Sequence, residues 1–301
     1  MFSHDSRWLA TGGLRDGSVR LWDVKASDPT AKPLVLHGHR SVIRSLDFSV
    51  DGPRLVSGAR DGTAIVWDLK ASGEAANRTT LPGGDVKSVA ISASGRFVIT
   101  GAWAPDNDPN GNDAGIWDLT SPTAPKSLAR FAFANRVFDV DTSRDSRWAA
   151  AGSWDSTIQL FNLTKADAKP FTLSGHTGRT ISVAFSPDNH WLATGNDDRT
   201  VRLWSLDEAD PSSVVLSATY GLGLSFSPDG RWVAMSPTEY RSNPFTPDSQ
   251  SLVSSFPETH LYLTRLEDLV SLACSTAGKR AFASEADQSL YKKHCVPTRA
   301  Q

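Results

Sequence analysis

The chain has 301 residues, enough to bury a large core in one repeat architecture or in two domains. Its 31 Lys and Arg against 33 Asp and Glu leave a net charge of -2, without the basic footprint of a nucleic-acid or anionic-membrane binder. Two cysteines, Cys274 and Cys295, give the body no disulfide framework, and the opening MFSHDSRW lacks an apolar signal-peptide segment, so a soluble cytoplasmic protein is expected.

In chain order the predicted elements repeat one grammar, most legible at 39–70, HRSVIRSLDFSVDGPRLVSGARDGTAIVWDLK. Residues 43–48 alternate apolar and polar as a strand, a; VDGPR is turn chemistry; 55–58 form strand b, Arg60-Asp61-Gly62 a tight turn, and 63–69 strand c, before a weaker strand d. The stretch 176–206 is a near copy: His39 to Ser57, Ser57 to Asp61 and Asp61 to Trp67 span the same 18, 4 and 6 positions as His176 to Thr194, Thr194 to Asp198 and Asp198 to Trp204. Residues 1–266 follow this frame at a period of roughly 40–50 residues, giving six units. The first has b at 7–10, c at 19–24 and d at 33–36, with only Phe2-Ser3 left of strand a. The third has strands at 86–92, 97–101 and 114–119, and the fourth at 137–141, 148–151 and 157–163. The fifth is the near copy. The sixth has strands at 222–227, 232–235 and 260–266, with a polar insertion at 236–259. Four short antiparallel strands bury too little alone, so neighbouring sheets must stack. After Leu266 the period changes: Leu266, Leu269, Val270 and Ala273 have helical spacing up to Gly278, and Ser284-x-x-Asp287 reads as a capping box.

Gly38-His39, Gly175-His176, Trp22-Asp23, Trp67-Asp68 and Trp117-Asp118, with Asp-Gly-Ser/Thr turns at Asp16 and Asp61, resemble the WD-repeat (WD40) β-propeller family over residues 1–266. The resemblance implies an all-β propeller of about six four-stranded antiparallel blades, strand a innermost and the first blade lacking it, followed by a short α-helical tail at 267–301 on the last blade. The fourth unit departs from the pattern, with Ala151 for Ser/Thr, Phe161-Asn162 for Trp-Asp and no Gly-His. The missing inner strand leads to the expectation of further blades upstream of Met1. The tail resembles the closing segment of bacterial WD-repeat proteins, many of which carry an upstream signalling NTPase, kinase or protease-like domain. Cys274 and Cys295 fall there, either bonded or reduced.

The quartets His39, Ser57, Asp61, Trp67 and His176, Thr194, Asp198, Trp204 contain hydrolase-triad residue types. The resemblance instead gives them a structural role, a buried hydrogen-bond chain from the d–a loop to strand c. No G-x-S-x-G, H-E-x-x-H, C-x-x-C or P-loop is present, so neither an enzyme nor a cofactor is expected. In the third unit Asp106, Asp108 and Asn110 match the first half of an oxygen-rich calcium loop, but the ninth and twelfth positions are Ala114 and Trp117. An ordinary turn-rich loop and a metal site both stay open at that point.

Ten tryptophans occur, eight of them at strand-b or strand-c positions. Trp103 and Trp154 each stand three residues after the strand-b Thr100 and Ala151, in predicted b–c loops; Arg60 and Arg15 hold related positions, and Arg40, Arg136 and Arg179 lie in d–a loops. In a propeller these loops share one rim, and Trp and Arg are the residues most enriched at binding hot spots. The rings either project as contacts or fold onto the blade edge. The resulting expectation is a non-catalytic interaction scaffold or sensor that binds a protein or peptide, the carboxy-terminal part of a larger bacterial signalling protein. An enzyme using the propeller channel and a calcium-dependent binding propeller are the alternatives.

Overall fold

The computed structural model describes residues 1–28, 32–51, 54–70, 78–103, 112–121, 124–165, 169–207, 213–217, 223–236 and 262–265. The predicted tail, Cys274, Cys295, Asp106, Asp108, Asn110 and most of the 236–259 insertion lie outside these. Among the described residues all regular structure is strand, in six antiparallel meanders. The first sheet is β1 (Trp8–Gly12), β2 (Val19–Asp23) and β3 (Leu34–Leu36). The second is β4 (Ile43–Phe48), β5 (Arg54–Ala59), β6 (Thr63–Asp68) and β7 (Arg78–Pro82). The third is β8 (Asp85–Ile91), β9 (Phe97–Trp103), β10 (Asp113–Asp118) and β11 (Lys126–Ala132). The fourth is β12 (Val137–Thr142), β13 (Trp148–Ser153), β14 (Ile158–Asn162) and β15 (Phe171–Leu173). The fifth is β16 (Thr180–Phe185), β17 (Trp191–Asn196), β18 (Thr200–Ser205) and β19 (Ser213–Ser217), and the sixth is β20 (Gly223–Phe226), β21 (Trp232–Ser236) and β22 (Tyr262–Arg265).

The chain divides into two compact units, Met1–Gly175 with the first four sheets and His176–Gln301 with the last two. In the first sheet the residues before β1 replace an inner strand only in part. Phe2 bridges Leu9, the Ser3 N–H donates to the Trp8 carbonyl at 2.8 Å and the Ala10 N–H to the Met1 carbonyl at 2.9 Å.

The same a–b turn recurs through the chain. A serine closes the end of strand a, as where the Ser143 N–H donates to the Trp148 carbonyl at 2.9 Å while its Oγ accepts from the Trp148 N–H at 2.8 Å. Three residues on, the chain enters the left-handed region, at Ser6, Gly95, Ser146, Asn189 and Gly230. Gly and Asn meet that need without strain, and short polar residues such as Ser tolerate it less readily.

Within the first unit the sheets stack in chain order, with β4 against β8 and β8 against β12. The core therefore lies between sheets. Leu55 and Ala59 of β5 meet the first sheet together with Ala10, Val19 and Leu21, while Val56 of the same strand meets Val86, Val89 and Val98 of the third. Burial on both faces explains why the middle strands read as near-continuous apolar runs instead of alternating. Gly58 marks the closest approach: a Cβ there would lie 2.6 Å from Val86 Cγ1 and 2.7 Å from Val89 Cγ1. Side-chain to backbone bonds stitch the inner strands together. The Val89 N–H donates to Ser45 Oγ at 3.2 Å, the Ile91 N–H to Asp47 Oδ2 at 2.9 Å and the Val140 N–H to Ser88 Oγ at 3.3 Å. In the second unit β16 packs against β20, and the Leu224 N–H donates to Ser182 Oγ at 3.2 Å.

Candidate functional site: an aromatic and cationic rim

Two kinds of side-chain constellation are built on this frame, and the first is structural in its geometry. His39 ends the loop between sheets and is buried; its Nε2 lies 2.8 Å from Ser57 Oγ, and its Nδ1 lies 3.0 Å from Asp61 Oδ2. Trp67 Nε1 donates to the same Ser57 oxygen at 2.8 Å, and the Arg40 N–H donates to Asp61 Oδ2 at 2.7 Å. The second unit repeats this. His176 lies 2.9 Å from Thr194 Oγ1 and 3.0 Å from Asp198 Oδ2, and Trp204 Nε1 donates to Thr194 Oγ1 at 2.9 Å. Burial holds both histidines below the usual range against the pull of Asp61 and Asp198. Burial works against the Asp61 carboxylate too, yet the Arg40 N–H, the Thr63 hydroxyl and His39 hold it below the ordinary value. Each serine or threonine oxygen is shared between a ring nitrogen of His and an indole N–H and is out of reach of solvent.

The fourth sheet solves the same packing problem without polar atoms. Phe133 stands four residues before Val137, as His39 stands four before Ile43, and it clusters with Ala151 and Phe161 in the core. The aspartate of the turn is kept: Asp155 Oδ2 accepts from the Ala134 N–H at 2.8 Å. The loop anchor thus survives while the buried triad becomes a Phe–Ala–Phe contact. In the third sheet, among the described residues, Trp117 Nε1 is buried without a hydrogen-bond partner.

The second constellation sits on the inner strands. In β4, β8 and β12 the ladder register slips at the same place, between Ile43 and Ser45, Val86 and Ser88, and Val137 and Asp139. A bulge adds one unpaired residue and re-aims its side chain. The three bulged residues are Arg44, Lys87 and Phe138. They meet the two rim tryptophans. Trp103 and Trp154 have ring centroids 5.7 Å apart, and Phe138 stacks on Trp154 at 5.6 Å with 17° between planes. Arg136 Cζ lies 4.4 Å from the Trp103 centroid and 5.3 Å from that of Trp154. Arg44 Cζ lies 5.2 Å from Trp103; Lys87 Nζ lies 5.8 Å from Trp103 and 4.6 Å from Phe138. Such contacts are worth about 0.5–2 kcal/mol each, more as water is excluded. All six side chains are half-buried. Arg44 Nη2 donates to Asp85 Oδ2 at 2.9 Å, but among the described residues Arg44 Nε and Asp85 Oδ1 are buried without hydrogen-bond partners.

Not every residue singled out in the sequence joins this cluster. Trp103, predicted in a loop, is the last residue of β9 and pairs with Asp85, because the ladder runs two residues further than the turn chemistry suggested. Trp154 does follow β13, where its N–H donates to the Arg136 carbonyl at 3.0 Å and ties the two rim loops together. Arg60 is mostly exposed, its Nε 4.0 Å from Asp85 Oδ2. Arg15 and Arg40 are exposed and take part in none of these ring contacts. Arg179 belongs to the second unit, its Nε 3.9 Å from Asp197 Oδ2. Arg44, Lys87 and Phe138 escaped the sequence reading; the signal was a large or charged residue directly after the first apolar position of strand a in three successive repeats. Among the described residues no three His, Cys, Asp or Glu side chains gather to hold a metal ion.

Antiparallel meanders of three or four strands stacked inner strand to inner strand, three of them tied by a loop-to-strand hydrogen-bond chain or its apolar equivalent, are blades of the β-propeller class. The family model described as "WD domain, G-beta repeat" matches residues 1–23, 31–68, 126–162 and 168–205, the later three each running from the outer strand of one sheet to the third strand of the next. The chain thus carries WD40 repeats. It is similar to the guanine nucleotide-binding protein subunit beta of Arabidopsis thaliana, 25% identical over 161 residues that cover 51% of this chain and 40% of that one. The corresponding subunits of Oryza sativa subsp. indica and subsp. japonica are each 27% identical, over 163 and 169 residues, covering 40% and 41% of those chains. The matched region is thus about two fifths of these relatives' length.

Proposed function

We propose that the chain is a non-catalytic interaction module that captures a protein or peptide partner on the rim centred on Trp103 and Trp154. The observation that carries this is the cluster itself: two indoles 5.7 Å apart, backed by Phe138 and flanked by three cations, on or directly beside strands packed in the blade core. Partly exposed aromatic rings with low conformational entropy are what hot spots are made of. The relatives are named as subunits, which supports an assembling role over a catalytic one. The setting we propose is a signalling or regulatory protein of bacterial type in the cytoplasm, supported by the likeness of the tail and the sparing use of cysteine.

The test uses peptides selected from a displayed random library on the immobilised 301-residue chain. Trp103→Ala combined with Trp154→Ala is expected to weaken the selected peptides at least about thirtyfold, the equivalent of one hot spot of about 2 kcal/mol, with circular dichroism unchanged. Binding that survives the double substitution sinks the rim assignment.

A further inference from the structure

The rim cluster holds more cations than anions. Arg44, Lys87 and Arg136 stand on the rings and Arg60 lies 4.0 Å from Asp85, four positive groups against the two carboxylates Asp85 and Asp139. Asp85 is committed to Arg44 at 2.9 Å, and Asp139 accepts from Ser88 Oγ at 3.0 Å. Lys87 differs from its neighbours. Its Nζ rests on the faces of Trp103 and Phe138, and among the described residues it makes no ion pair and no hydrogen bond. Burial, then Arg44, hold its ammonium below the usual lysine range, against the opposite pull of Asp139 and Asp85. An ammonium carries three N–H donors. Ring faces satisfy its charge in part but none of those donors, and leaving a ring face costs only about 0.5–2 kcal/mol.

We propose that Lys87 is the anion-receiving point of the rim, and that the partner docks there with the carboxylate of an Asp or Glu in an exposed peptide segment, its flanking residues set against Trp103, Trp154 and Phe138. Both Arg44 and Arg60 face Asp85, whereas Lys87 offers one ammonium with no carboxylate of its own, a point charge that matches a monoanionic carboxylate; a phosphoryl group carries a charge of roughly -1.5 to -2. The bulge that frees Lys87 from the ladder lets it turn toward such a group without disturbing β8. This proposal rests on the rim reading above.

The selected peptides supply the probe. Each is synthesised in three forms, with its acidic residue, with the matching amide, and with phosphoserine in that place, and titrated against the whole chain by tryptophan fluorescence. The expected result is a shared acidic position whose amide form binds at least about tenfold more weakly, as loss of a hydrogen bond to a charged group implies. Lys87→Met should abolish that difference and Lys87→Arg should keep it, with Lys87→Gln in reserve should the Met variant not fold. Selected peptides that share no acidic residue, an acid-to-amide difference that survives loss of Lys87, or a phosphoserine form that binds tenfold more tightly than the acid would each overturn the proposal. Binders that need both indoles but no acid remove this proposal alone; a library yielding no binder dependent on the indoles removes the rim reading with it.

Discussion

Replacing Ser57 by Ala deletes one oxygen and orphans two neighbours. His39 Nε2 at 2.8 Å and Trp67 Nε1 at 2.8 Å both end on Ser57 Oγ, and Ser57 and Trp67 are all but inaccessible to solvent. Each buried polar group left unpaired costs about 1–3 kcal/mol, so the single substitution should cost about 2–6 kcal/mol. The fourth sheet shows the apolar alternative, Phe133, Ala151 and Phe161 in one cluster with Asp155 still anchoring its loop. The triple variant His39→Phe, Ser57→Ala and Trp67→Phe copies that solution into the second sheet and leaves Asp61 its bonds from Arg40 and Thr63. It removes all three polar partners together, so its cost should fall to the repacking range, below about 3 kcal/mol. Equilibrium urea denaturation of the two variants, followed by circular dichroism, compares them directly. A triple variant less stable than Ser57→Ala would refute the reasoning, because it would mean that steric fit at this blade, and not pairing, sets the cost.

Asp47 is half-buried between inner strands, where burial, against the Ile91 and Phe48 N–H groups, pushes its carboxyl up to about 7. The sign follows from a folded value above the unfolded one: the contribution is full below about pH 4 and is lost as pH rises through 7, with a ceiling of about 4 kcal/mol that solvent access reduces. Comparing stability at pH 5 and pH 8, the native chain should lose more than Asp47→Asn does; equal slopes would discard the assignment. The buried histidines act the other way, since burial lowers them and their contribution is lost as pH falls below about 6.5. Gly58→Ala should destabilise by about 1–3 kcal/mol in denaturant melts, because its Cβ would meet two Val side chains of the next sheet inside 3 Å. A neutral result there would show that β8 can back away.

Much of the blade frame was legible because a repeat writes the same physics several times. The spacings of 18, 4 and 6 positions from His39 through Ser57 and Asp61 to Trp67 recur from His176, and they are the hydrogen-bond chains the structure contains. The half-matched Phe2-Ser3 likewise lies along β1, where Phe2 bridges Leu9. The fourth unit looked defective only because Phe133 is far from Ala151 and Phe161 in sequence; packing made the three a substitute for the polar chain. Residue types and their spacing along one strand follow from local chemistry and from the fixed rise of the backbone, so sequence alone indicated most of the inner and middle strands and the spacing of their buried polar residues. The bulges at Arg44, Lys87 and Phe138 depend on how one sheet's inner strand seats against the next, so the gathering of those side chains on Trp103 and Trp154 was decided by tertiary packing.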